Sequence, residues 1–421
     1  MKKIIFICAA LALGTSAFAQ KSNLRKIENI TYGVQNLNSL EPEKWTEIKQ
    51  LVNEAKADPE TAENHQTWEW IIKTDVNDRI NMLKEYQANG NKFSDMKAFF
   101  MNEKAIVDAC EKYYKLIQTP NEKGKLPLKD KELEIQKLWT KENANACRGN
   151  LYVGATQFVY NEPQTAVDML ESYYASFDSP MFEGDNLKET DKNYKESAFV
   201  YASALKGANA DQAKVVEWME KSLQTQNGPL ACQELITYYH QKEDKANEEK
   251  YLRYGFDNFK QTNIFGINLA QTAINNREYD KTIEICDVLI QRQEDGSTPI
   301  TDEAGNALEN VWFPYYFKAV SLFNSEKFDL AHDAFVKGDE KCPGHIELVM
   351  GAGTSAAKYG NDHFTDKAVC KPWFEKAVKY FHKAEEAWPD QSDQWGYQMY
   401  ACYHNLENKV MEAKYKKYAE K

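Results

Sequence analysis

The clearest pattern along the chain runs from Trp312 to Pro343. Tyr315, Ala319 and Leu322 fall three to four residues apart and form one apolar stripe. The polar run Asn324-Ser-Glu interrupts it, and Phe328, Ala331, Phe335 and Gly338 then form a second stripe closed by Pro343. This spacing predicts two helices in antiparallel order, each with one apolar face. A pair of that size cannot bury both faces alone, so it predicts neighbours of the same kind.

These offsets resemble the tetratricopeptide repeat. Counted from Trp312, the residues are bulky at position 4, small at 8, aromatic at 17, Ala at 20, aromatic at 24, small at 27 and Pro at 32. Small residues at 8 and 20 let two helices approach closely, and the aromatics fill the gap to the next hairpin. Position 20 recurs at Ile48, Ala109, Ala166, Val215, Glu248, Thr282, Ala331, Ala377 and Ala413. The steps from Val215 to Glu248 and on to Thr282 are 33 and 34 residues, and longer steps imply insertions. The resemblance implies an all-α, right-handed superhelix of about nine hairpins filling residues 20–421, most regular over 194–421.

Several hairpins depart from the pattern. Residues 78–100 read as a long extension of a first helix or an insertion, and Glu248 stands where the fifth hairpin needs a small residue. The ninth is anchored on Tyr397, Ala401 and Ala413. Three insertions, 119–130, 178–193 and 294–307, join one hairpin to the next, and the last carries an Asp-to-Gly turn that predicts a small β-hairpin.

The N-terminus changes the picture of where the chain works. Met-Lys-Lys, an apolar run from Ile4 to Leu13 and Ala17-Phe18-Ala19 form a signal peptide, predicting a periplasmic protein that starts at Gln20. Loss of Lys2 and Lys3 takes the net charge from −12 to −14, which disfavours nucleic acid as a partner. Seven cysteines remain, without a CxxC pair, at positions where a small core residue fits.

Candidate chemistry is sparse. Gly351-Ala-Gly353-Thr-Ser-Ala356 mimics a dinucleotide fingerprint, but no alternating strand and helix pattern surrounds it, and close helix packing explains the small residues. Asp362, His363, Asp366 and Cys370 lack a dedicated metal-ligand spacing and read as a polar loop. No hydrolase, kinase or phosphate-loop motif occurs, so no catalytic residue, cofactor or metal is expected.

The resemblance places the inner wall of such an array at first-helix positions 2, 5, 9, 12 and 13. Here these select His240, Gln271, Asn275, Phe313, Tyr316, Phe323 and Asn324, with Phe158 and Trp395. His240, Gln271, Asn275, Tyr316 and Asn324 form the candidate ligand groove, suited by amides and aromatics to a peptide or a sugar. The Lys and Asn pattern of a terminal-carboxylate clamp is absent from them. The expectation is a non-catalytic scaffold that binds a protein or peptide. The alternatives are a secreted all-α polysaccharide-acting enzyme and a glycan-binding helical-repeat protein.

Overall fold

A computed structural model describes residues 23–302 and 308–420, so the signal-peptide reading over 1–19 lies outside the described residues. The described residues hold helices and no strand. Thr301 is an isolated bridge residue, in a loop whose ends are joined by the Leu308 N–H donating to the Ile300 carbonyl at 3.0 Å. The Asp-to-Gly turn of the predicted β-hairpin runs from Asp302 into 303–307, which lie outside the described residues.

Two compact units divide at Gly228 and Pro229. The first contains α1 (23–31), α2 (Pro42–Ala57), α3 (His65–Ala88), α4 (Met96–Ile117), α5 (Asp130–Phe158), α6 (Pro163–Phe177), the short α7 (Leu187–Thr190), α8 (Asn193–Gly207) and α9 (Gln212–Ser222). The second, opening on α10 (Gly228–Gln241), contains α11 (Lys245–Asn258), α12 (Ile264–Asn275), α13 (Tyr279–Glu294), α14 (Phe313–Asn324), α15 (Phe328–Lys341), α16 (Ile346–Asp362), α17 (Lys367–Ala387), α18 (Ser392–Asn405) and α19 (Lys409–Tyr415). With α7 set aside as part of an insertion, these pair into nine hairpins among the described residues. Within the second unit, successive helices from α11 to α19 pack on one another, and α12, α14, α16 and α18 also form a row in which each touches the next. That two-level neighbour pattern is the packing of a tetratricopeptide-like repeat.

The position-20 series sits where the helices approach. Ile48, Ala109, Ala166, Val215, Thr282, Ala331 and Ala377 are all buried at the helix contacts. Glu248 fits for a different reason: its carboxylate meets His240 Nδ1 at 3.1 Å, at the edge of its hairpin. The ninth hairpin corrects the predicted register. Trp395, Met399, Cys402, Tyr403 and Tyr415 are among its buried residues, whereas Tyr397 is 55% exposed and Ala413 is exposed. The larger Trp and Met side chains outweigh the small-residue signal, because they bury more apolar surface.

Five hairpins turn in the same way. Asn209, Glu243, Arg277, Glu326 and Glu407 adopt left-handed backbone with φ between 55° and 63°. The next residue's N–H then reaches back five positions: Lys327 to the Leu322 carbonyl at 3.0 Å and Glu278 to Ala273 at 2.8 Å are typical. This closes the first helix with the left-handed cap usually given to Gly.

Two helices are longer than the spacing indicates. The extension after Trp68 ends with α3 at Ala88, and Asp95 caps α4 through its side chain, so residues 96–100 belong to the second helix. Helix α5 begins at Asp130, well before the turn that holds Gly154. The 178–193 insertion is packed rather than open: Met181 and Phe182 are buried, and Arg148 of α5 reaches Asp191 with Nη2 at 2.7 Å.

Candidate functional site

Helix α14 starts at Phe313-Pro314, where a proline is tolerated because the first-turn N–H groups have no helical partner. Its apolar stripe sends Pro314, Tyr315, Phe317, Ala319 and Leu322 into the core. The adjacent stripe, Tyr316, Val320 and Phe323, stays half-buried and faces α16. Between these helices lies a cavity of about 260 Å³, lined by Tyr316, Val320, Phe323, Phe335, Glu347, Met350, Gly351 and Thr354. Phe335 comes from α15 and is 3% exposed.

The small residues of α16 belong to this packing. A Cβ on Gly351 would stand 2.4 Å from Phe335 Cε1, and one on Gly353 would stand 2.5 Å from Phe381 Cε1. The stretch is therefore a helix face pressed against two aromatic rings, which accounts for its glycines without any nucleotide.

Aromatic rings hold Tyr316 in place. Its centroid lies 5.3 Å from Trp312 and 6.2 Å from Phe335, and Trp312 in turn stacks on His345 at 4.4 Å. Burial raises the Tyr316 phenol above its usual range, and the nearby Glu347 carboxylate raises it further, so the hydroxyl keeps its proton at neutral pH. Glu347 is exposed and makes no ion pair among the described residues.

Of the five predicted groove residues, Tyr316 alone lines this cavity. Gln271 and Asn275 share one exposed face of α12, joined by a hydrogen bond at 3.1 Å, and Asn324 is exposed at the end of α14. His240 is exposed but engaged with Glu248. Two of the other wall positions are core. Trp395 is 2% exposed with its indole N–H donating to the Trp388 carbonyl at 3.0 Å, and Phe158 is packed on Phe100. The cavity also uses Val320, at wall position 9, and Met350 and Thr354 from α16. Val320 was legible from its position; the α16 residues were not, since their exposure depends on the neighbouring repeat.

The remaining candidates have structural roles. Asp366 caps α17 by accepting from the Ala368 and Val369 N–H groups, Asp362 pairs with Lys358, His363 Nδ1 meets the Tyr359 carbonyl, and Cys370 is buried. Six of the seven cysteines in the described residues are buried and Cys342 is half-buried. Burial pushes the Cys232, Cys286 and Cys402 thiols up to about 12, so they are unreactive protonated groups at neutral pH. Among the described residues no helix is long and apolar enough to cross a membrane, and no group of three metal-ligating side chains converges.

No family model and no curated protein matches the chain. Among solved structures, the crystal structure of yeast Tom70 aligns with a TM-score of 0.31 at 13% identity, covering 98% of this chain and 92% of that chain. A circular tandem repeat protein with novel repeat topology aligns at 0.19 and 13% identity, covering 95% and 87%. Likeness at this level carries no functional argument, and the repeat fold rests on the helix pairing and turns described above.

Proposed function

We propose that this chain is a non-catalytic periplasmic scaffold that captures a peptide segment of a protein partner on its first-helix face, with one apolar side chain seated beside Tyr316. The observation that carries the reading is the α14–α16 cavity, whose walls are mainly aromatic and aliphatic and whose size suits a single large side chain. Larger hollows, of about 400 Å³ between α2 and α3, about 610 Å³ over residues 177–189 and about 410 Å³ between α4 and α6, carry several charged or amide groups each, against the single charged residue of this cavity. The periplasmic address rests on the Met-Lys-Lys start, the short apolar run and Ala17-Phe18-Ala19.

The test is affinity capture from periplasmic extract with the chain from Gln20 onward, run beside Tyr316→Ala, together with a glycan panel. A partner retained by the parent and lost by the variant supports the reading. Capture insensitive to Tyr316, or specific cleavage of a glycan, overturns it.

A further inference from the structure

We infer that the segment captured at this cavity carries a Lys or Arg next to its apolar anchor, and that Glu347 selects it. The inference rests on the peptide-binding reading above and adds the chemistry of the ligand. Eight residues line the cavity, and Glu347 is the single charged one. Carboxylates of the neighbouring second helices are engaged: Asp287 with Lys318, Glu294 with Lys337, and Asp339 with Lys383. Glu347 is exposed at the cavity edge without such a partner among the described residues.

Its position beside Tyr316 gives a cation two favourable contacts at once. A guanidinium or ammonium there would pair with the carboxylate and lie near the half-buried Tyr316 ring, which Trp312 and Phe335 hold in place. An anionic side chain in the same place would meet the carboxylate and the chain's net charge of −12, so the discrimination is two-sided. The apolar pocket holds the anchor, and the rim reads the charge beside it.

The experiment is selection of a random peptide display library on the chain from Gln20, followed by affinity measurement of the enriched peptides against the parent, Glu347→Gln, Glu347→Lys and Tyr316→Ala. The expected motif is Leu, Met, Phe or Trp within two residues of Lys or Arg. Glu347→Lys should weaken these peptides by about tenfold and Glu347→Gln by less, with the loss shrinking as salt rises. Circular dichroism of the variants should be unchanged, since Glu347 is on the surface. Enriched peptides that need Tyr316 but show no basic preference would overturn this inference and leave the pocket reading standing. No enrichment, or enrichment indifferent to Tyr316, would overturn both.

Discussion

Phe335 lies so close to the backbone of Gly351 that a methyl group there would stand 2.4 Å from its ring. Replacing Gly by Ala within a helix ordinarily gains about 1 kcal/mol. Here the ring must move, and overpacking of that kind costs about 1–3 kcal/mol. Gly351→Ala is therefore expected to lower stability slightly, in spite of the better helix former. Phe335→Ala should lower it by about 3 kcal/mol by opening a cavity. In the double variant the new methyl occupies part of that cavity, so the combined loss should fall short of the sum by about 1 kcal/mol. Urea titrations of the four proteins measure the coupling, and additive losses would show that the two residues do not share the contact.

Tyr316→Ala removes the half-buried aromatic of the cavity while leaving the buried face of α14 in place. A central aromatic anchor is worth about 2 kcal/mol or more, so binding of a captured partner should weaken by at least about tenfold. Helicity should stay at the parent level. Unchanged affinity, combined with loss of binding on altering the 294–302 loop or the ninth hairpin, would move the site away from the first-helix face.

Arg148 and Asp191 form an ion pair in which each side chain is 8% exposed. The guanidinium lies 4.9 Å from the Phe177 ring centre and 5.9 Å from that of Phe182, and the Tyr173 hydroxyl donates to Asp191 at 2.9 Å. Asp191→Asn leaves the cation buried without its counter-charge, which costs about 3 kcal/mol or more. The 178–193 segment should then be cut readily in limited proteolysis. Arg148→Met added to Asp191→Asn should recover much of the loss. A single variant as stable and as protected as the parent would show that the pair does not hold the segment.

Asp75 gives the chain an acid-side stability term of unusual sign. Burial, helped by the charge of Asp78, raises its carboxyl from 3.8 to about 6, against the pull of Lys49 and Lys56. The folded form therefore holds its proton over a range in which the unfolded chain has released it. Folding stability contributed by this group is present below pH 4 and declines as pH rises through about 6. Asp75→Asn should remove that slope and stabilise the protein at pH 7 by about 1–2 kcal/mol. Melting temperatures of both proteins between pH 4 and 8 test this; a variant no more stable than the parent at pH 7 contradicts it.

The sequence by itself determined the repeat. Ala331, Phe335 and Gly338 on one helix and Tyr315, Ala319 and Leu322 on its partner are fixed by the 3.6-residue period, because a side chain's face follows from its place in a helix. The same arithmetic located the buried residues at 48, 109, 166, 215, 282 and 377. The tertiary structure alone decided what period cannot encode. The left-handed turns at Glu243, Arg277, Glu326 and Glu407 carry no Gly to announce them; the cost of that backbone is met by the helix-closing hydrogen bonds on either side. The ninth hairpin's register was set by the larger surface that Trp395 and Met399 bury, which overrode the pattern at Ala401 and Ala413. The same limit applies to the cavity. Tyr316 was legible as a wall position, but Met350, Thr354 and Glu347 join it only because Gly351 lets α16 settle onto Phe335, and that approach depends on the shapes of two repeats rather than on the period of either.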